Sequence, residues 1–155
     1  MHLDADELAG VVDLFGLLAR DDLLDAVREL AFRRDEPYDA DETDADIDDA
    51  VAAFVLLEFE YEGRPMLVAG PTAFPTLPDG AEDIPHILDV EPREVDRSVL
   101  ASPIRDRLTR AASQVTDPDR ARELIDVTYD AETWIDVDLS DVRDRLAGVA
   151  DDNPG

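Results

Sequence analysis

Acidic residues crowd the stretch from Asp39 to Asp49, and their spacing suggests oxygen ligands for a calcium ion. Starting at Asp44, aspartates fall at positions 1, 3 and 5 of a calcium-binding loop. Such a loop needs glycine at its sixth position and glutamate at its twelfth, where this chain has Asp49 and Val55. We therefore predict no metal site and interpret the run as the solvated start of a helix.

His86 is the residue best suited to proton transfer, because the other histidine is the second residue of the chain. Hydrolysis by a histidine also requires a carboxylate and a nucleophile nearby. The chain has few serines, and none lies in a Gly-x-Ser-x-Gly turn. A small hydrolase built around His86 remains an alternative. A pocket that unites His86 with Asp83 or Asp89 and a hydroxyl group would favour it.

Two residue types are missing, and their absence removes whole classes of chemistry. The chain contains neither lysine nor cysteine. Without lysine it lacks the phosphate-binding P-loop, Schiff-base catalysis and the lysine of protein kinases. Without cysteine it forms no disulfide, thiolate zinc site or iron–sulfur cluster. We predict no catalytic residue, no cofactor and no metal.

Positive charge is concentrated in one part of the chain, since half of the arginines fall between Arg93 and Arg122. Helical spacing predicts local ion pairs there and in the last helix. These are Asp106 with Arg110, Asp119 with Arg122, and Asp141 with Arg145. The alternative is a site for an anion or an acidic partner at Arg107 and Arg110, one helical turn apart. The candidate partner-binding residues are Arg64, His86, Arg107 and Arg110.

The elements that position these residues are predicted by the periodicity of apolar side chains. Three helical stripes in the first part of the chain precede a stretch that alternates apolar residues with glutamates. Asp6 and Thr43 are the predicted caps of the first and third helices. The alternating stretch predicts a β-hairpin with its turn at Glu62-Gly63. Three helices followed by a hairpin indicate a winged-helix-like module over residues 1–74.

The remainder of the chain is predicted to be an ordered crossover followed by helices. Prolines recur through residues 75–92, and the apolar residues among them favour an extended segment that wraps the surface and joins the two halves. Helical stripes return over residues 93–150, with starts predicted at Ser102-Pro103 and Asp117-Pro118. Trp134 is assigned to an extended stretch, and residues 151–155 to a frayed tail. The fold class is therefore α+β, mostly α, with a helical C-terminal half.

The charge balance of the chain predicts that the protein works in concentrated salt. Forty acidic residues, 28 of them Asp, oppose 14 Arg, which gives a net charge of −26. That charge repels itself in dilute buffer, but at about 1 M salt the Debye length falls to roughly 3 Å. We expect a cytoplasmic protein of an extreme halophile. The alternative is an acidic protein that mimics nucleic acid or docks a basic partner. No apolar run has the length of a membrane span, and no signal peptide is expected.

Two stretches resemble a family of small haloarchaeal proteins that has no assigned function. The first is DADELAGVVDLFG at residues 4–16, and the second is FPTLPDGAEDIPHILDV at residues 74–90. The resemblance implies a haloarchaeal source. It transfers no catalytic or binding residue.

The function we expect is that of a non-enzymatic protein-interaction or regulatory module with a protein partner. A DNA-associated transcriptional regulator of the winged-helix class is the alternative. The outward positions of the third predicted helix carry Asp46, Asp49, Ala52 and Ala53 rather than basic residues, which disfavours direct DNA contact.

The charge argument predicts that salt controls stability. In about 2–3 M KCl the fold should be stable, and in dilute buffer it should loosen because screening is lost. Thermal unfolding followed by circular dichroism across this salt range is the measurement. A melting temperature that does not move with salt would contradict the prediction.

Overall fold

A computed structural model describes residues 1–151 as an α+β protein that is mostly α-helical, which confirms the predicted fold class. Its contacts define two compact units, Met1–Val95 and a second that begins at Asp96. The predicted domain boundaries at residues 74 and 92 remain predictions. The helices are α1 Ala5–Phe15, α2 Arg20–Arg33, α3 Ala40–Ala52, α4 Ile84–Ile87, a 3₁₀ helix Arg97–Leu100, α5 Ala101–Gln114, α6 Pro118–Trp134 and α7 Ser140–Asp151.

The first unit combines α1, α2 and α3 with a small antiparallel sheet. Its strands are β1 Leu18–Ala19, β2 Leu56–Tyr61 and β3 Arg64–Ala69, in the order β1-β3-β2. The hairpin β2–β3 was predicted, whereas the two-residue β1 is too short to leave an alternating pattern. One face of the sheet packs with the three helices into a core that contains Phe15, Leu18, Leu30, Ile47, Leu56 and Leu67.

Helix starts differ from the predictions because aspartates offer several competing caps. Asp4, rather than Asp6, caps α1: its carboxylate accepts the N–H of Glu7 at 2.8 Å, and Glu7 bonds back to the Asp4 N–H. Asp39 caps α3, so the helix begins earlier than predicted and Thr43 lies buried within it. An aspartate that reaches the first free N–H groups stabilises a helix start as well as threonine does.

Two further predictions fail in the C-terminal part. Helix α5 begins at Ala101 because the 3₁₀ helix leads directly into it, so Ser102 and Pro103 lie in its first turn. Trp134 is the last residue of α6 rather than part of an extended stretch. The start at Asp117-Pro118 is confirmed, with Asp117 accepting two backbone N–H groups. Of the predicted frayed tail, Asp151 ends α7 and residues 152–155 lie outside the described part.

The Pro-rich segment belongs to the first unit and packs on its core. Ala81 and Ile84 are fully buried in its core. The segment contains the short helix α4, whereas an extended segment was predicted. Pro85 is tolerated there because it occupies the first turn, where its missing N–H would have no helical partner.

Gly10 is required for the segment to lie on α1. A Cβ atom at Gly10 would stand 2.1 Å from the carbonyl oxygen of Thr76. Thr76 is held there by a 3.0 Å hydrogen bond from its N–H to the carbonyl of Asp6. A side chain at Gly10 would therefore displace backbone rather than a flexible neighbour.

Substituting the two helical glycines should give opposite results. Gly10→Ala should destabilise the fold by about 1–3 kcal/mol, because the methyl group overpacks the contact with Thr76. Gly148→Ala should stabilise it by up to about 1 kcal/mol, since nothing lies within 4 Å and alanine favours helix. Chemical denaturation at high salt measures both. Helix propensity alone would stabilise both variants, and that result would contradict the packing argument.

One arginine ties together α2, α3 and β2. Arg20 donates to Glu58 at 2.8 Å, to Asp44 at 2.7 Å and to Asp48 at 2.9 Å. Its side chain is only 19% exposed. The hydrogen bond to Glu58 contributes most to raising the pKa of Arg20, against the opposing effect of burial. We call Arg20, Asp44, Asp48 and Glu58 the Arg20 cluster.

Removing Arg20 should weaken the first unit. Arg20→Met should cost about 1–3 kcal/mol, because three partly exposed carboxylates lose their shared cation. Arg20→Lys should recover only part of the loss, since one ammonium group lacks the guanidinium fork. Arg28→Met is the control, because its pair with Asp25 is exposed and local. Chemical denaturation is the measurement, and equal stabilities of the Arg20 and Arg28 variants would contradict the prediction.

The second unit has its own ionic anchor between α6 and α7. Arg143 donates to Glu132 at 2.8 Å and to the Thr128 hydroxyl at 3.0 Å, and it lies 4.1 Å from the centre of the Tyr129 ring. Glu132 also accepts the N–H of Leu139, and the bond from Arg143 is the main cause of its lowered pKa. These contacts fix α7 against α6.

Candidate interaction surface

The β2–β3 hairpin is closed by a tight turn. Glu62 and Gly63 both have positive φ, 53° and 80°, as a two-residue turn with right-handed strand twist requires. Arg93 holds the tip, with its guanidinium 3.2 Å from the Glu62 carboxylate and 5.5 Å from the centre of the Tyr61 ring. The hairpin is therefore fixed at both its turn and its base, where Glu58 joins the Arg20 cluster.

The register of the hairpin determines which backbone groups face outward. Glu60 lies opposite Pro65. Proline has no N–H, and hydrogen-bonded pairs alternate along an antiparallel ladder, so the Glu60–Pro65 pair is a non-hydrogen-bonded one. The Gly70 N–H donates to the Val55 carbonyl, so the pair that follows Leu56–Ala69 is hydrogen-bonded, as this alternation requires. Consequently Leu57, Phe59 and Tyr61 bond to β3.

Residues Leu56, Glu58 and Glu60 turn their N–H and C=O groups the other way, to the outer edge of β2. Strand β1 pairs with β3 and not with β2, so this edge has no neighbouring strand among residues 1–151. A hollow of about 460 Å³ lies on the hairpin, lined by residues of both strands and the turn, namely Glu58, Phe59, Glu60, Gly63 and Pro65. We call the outward groups of these three residues the β2 edge.

Negative charge surrounds the β2 edge. Glu60 is exposed and makes no ion pair within residues 1–151. The Arg20 cluster has three carboxylates for one guanidinium. The other exposed positions of α3 add further carboxylates and no basic group, namely Asp41, Glu42 and Asp49. This surface repels phosphate groups.

The four residues predicted to bind a partner are divided between the two units. Arg64 is exposed on β3 of the first unit, near Asp22, whose pKa is raised by burial and lowered to a smaller degree by the Arg64 charge. His86 is exposed on α4. Arg107 and Arg110 lie on α5 of the second unit. Whether any of them binds a partner remains a prediction.

The predicted ion pairs form in one case of three. Arg122 pairs with Asp119 at 2.6 Å, but Asp141 pairs with Arg105 instead of Arg145. Within the described chain, four guanidinium groups have neither a hydrogen bond nor an ion pair: Arg64, Arg107, Arg110 and Arg145. Arg107 is half-buried and its Nε has no hydrogen-bond partner there. Three of these four are residues that the sequence had singled out.

A hollow of about 350 Å³ lies beside His86, the residue of the hydrolase alternative. His86, Asp89 and Glu91 line it together with Pro85, Val90 and Pro92. A histidine and carboxylates are thus present, but none of these lining residues carries a hydroxyl or thiol group. The hollow therefore lacks the hydroxyl group of the predicted arrangement, and the hydrolase alternative remains a prediction.

Exposed apolar side chains lie along the Pro-rich segment and the helix end that it contacts. Phe74 is 78% exposed and Leu77 is 38% exposed. The Phe74 backbone is fixed, because its N–H donates to the Asp6 carboxylate at 3.1 Å. Phe32 on α2 is 80% exposed, and the adjacent Arg33 donates to the carbonyl of Gly80, farther along the segment. Sequence reasoning did not identify Phe32, whose exposure follows from its position on α2 rather than from its type.

Comparisons with known proteins give a family but no function. No curated protein and no solved structure matches the chain significantly. No helix among residues 1–151 is both long enough and apolar enough to cross a membrane. The model of a family of unknown function matches residues 6–151. The chain therefore belongs to DUF7109, a family of unknown function.

Proposed function

We propose that this protein is a non-enzymatic interaction or regulatory module that binds a protein partner in a haloarchaeal cytoplasm. The observation that carries the proposal is the exposure of Phe32 and Phe74, each about four-fifths accessible on an otherwise carboxylate-rich unit. Large aromatic side chains supply the central contacts of protein interfaces. A fixed backbone around Phe74 lowers the entropy lost on binding.

The salt-adapted setting is supported by the charge of −26 and by the absence of lysine. Hydrated carboxylates keep a surface soluble when salt screens their repulsion. Apolar contacts are strengthened by salts that are excluded from protein surfaces. Exposed phenylalanines are therefore suitable anchors for a partner in concentrated salt.

The first unit is proposed to be a winged-helix domain used for protein contact. Its element order α1-β1-α2-α3-β2-β3 and its strand order β1-β3-β2 support this assignment. In DNA-binding relatives of this design the recognition helix carries groups that contact bases and phosphates. Here that helix is α3, and its exposed residues are acidic or alanine. Charge repulsion therefore favours a protein partner over DNA.

A DNA-associated regulator is the second candidate, and the element order of the first unit is the observation that favours it. The unpaired Arg64 on the hairpin would be its phosphate contact. A regulator of this kind would still need further basic groups near the hairpin, and the acidic face of α3 opposes that.

Affinity capture at native salt separates the two candidates. The tagged protein is incubated with lysate of the source organism, with and without nuclease, and the captured molecules are identified. A defined protein that survives nuclease treatment is the expected result. Recovery of DNA, or of partners that disappear with nuclease, would support the DNA-associated regulator instead.

Replacing both exposed phenylalanines should abolish capture of the partner. The double variant Phe32→Ser and Phe74→Ser should reduce recovery about tenfold or more, because two aromatic anchors are lost. Val99→Ser is the control, since Val99 is also exposed but lies in the second unit. Quantitative mass spectrometry of the captured protein is the measurement. Undiminished recovery with the double variant, at unchanged thermal stability, would overturn the role of these residues.

A further inference from the structure

We propose that the β2 edge binds an extended, basic segment of a partner protein, which adds to the sheet as a fourth strand. The inference rests on the proposed function in that both assume a protein partner. It goes further by assigning a binding surface other than the exposed phenylalanines and a chemical class of ligand.

The backbone of β2 is prepared for strand addition. The N–H and C=O groups of Leu56, Glu58 and Glu60 point outward at alternate residues, which is the spacing that an added strand matches. Strand β2 contains no proline and no positive-φ residue that would bend or interrupt this row. The hollow lined in part by Glu58 and Glu60 leaves space for side chains of an incoming chain.

The strand is also held rigid before any partner arrives. Its base is fixed by Arg20 through Glu58, and its tip by Arg93 through Glu62 and Tyr61. A rigid edge loses little conformational entropy when a strand is added. Most of the conformational entropy lost on binding is therefore lost by the partner segment.

The negative charges beside the β2 edge determine which class of segment can bind there. The carboxylates next to the edge exceed the guanidinium groups, because Arg20 is shared by three of them and Glu60 has none. Arginine or lysine side chains on an added strand would lie opposite Glu58 and Glu60, where opposite charges stabilise a cross-strand pair. A second copy of this chain would instead place glutamates opposite glutamates and add its own charge of −26. The edge therefore favours a basic segment over self-association.

Amide hydrogen exchange of the full chain tests the inference with a peptide of defined composition. The probe is a blocked heptapeptide that alternates arginine with threonine, added in about 0.5 M and about 2 M KCl to vary screening. The amides of Glu58 and Glu60 should exchange rapidly in the free protein and about tenfold more slowly with peptide, whereas those of Leu57 and Phe59 should be slow in both states. Protection elsewhere, or none, would overturn the inference.

Two peptide controls separate backbone pairing from charge attraction. A version N-methylated at alternate amides on its pairing edge keeps every charge but cannot donate to β2, and it should bind at least about fivefold more weakly. A version with glutamate in place of arginine should not bind. Equal binding of the methylated and unmethylated peptides would show simple charge attraction and overturn strand addition.

Two variants of one residue provide the matched test on the protein side. Glu60→Pro removes the outward N–H, which makes no bond within the sheet, and should weaken peptide binding at least about fivefold. Glu60→Thr keeps the N–H, so the exchange protection should persist with a smaller loss of affinity. If Glu60→Pro fails to fold, the methylated peptide still decides the question. Protection that grows with protein concentration and without peptide would assign the edge to a second copy.

The inference and the proposed function can fail separately. If wild type and Glu60→Pro capture the same lysate partner equally, the proposed interaction module is supported. The β2 edge is then overturned as the site that binds this partner. Binding of the peptide without a protein partner from lysate would contradict the module, although the edge would still bind basic strands.

Discussion

The first unit depends on one shared cation. Arg20 lies at the start of α2 and bonds carboxylates from α3 and from β2, so three elements meet at a single guanidinium. Two of those carboxylates, Asp44 and Asp48, are one turn apart on α3 and would repel each other without it. The planar fork of arginine satisfies several acceptors at once, which a lysine could not do. In this chain, which has no lysine, the geometry allows one arginine to neutralise carboxylates on α3 and to connect that helix to β2.

Much of the fold could be predicted from apolar periodicity, because burial of apolar side chains leaves a periodic trace. The helical stripes of α1, α2 and α3 and the alternation in β2 became the observed elements. Gly63 and the preceding glutamate identified the turn, since such turns need positive φ. Helix starts were less predictable. Asp4 and Asp6, or Asp39 and Thr43, are all residue types that favour a helix N-cap, and the three-dimensional path of the chain decides between them.

The candidate surface was less accessible to sequence reasoning than the fold. Arg64, Arg107 and Arg110 could be proposed as partner-binding residues because basic residues are scarce in this chain, and that role stays a prediction. The β2 edge could not, because it depends on which strand β1 joins. Two residues, Leu18 and Ala19, pair with β3, and this leaves β2 at the edge of the sheet. A strand of that length carries no periodic signal. The predicted turn at Glu62-Gly63 sets the register of β2 against β3, but only the placement of β1 leaves Glu58 and Glu60 at an edge of the sheet.

Concentrated salt, the proposed setting, changes how such a protein can recognise a partner. Attraction between charges reaches only a few ångströms at molar salt, so charge can select a partner in contact but cannot draw it from a distance. Hydrogen bonds between backbones and burial of apolar surface persist under the same conditions. In the proposed setting, an open strand edge and exposed phenylalanines would supply these two interactions, and the glutamates beside the edge would act where screening is weakest, at direct contact. The acidic surface would in this way also discourage pairing between copies.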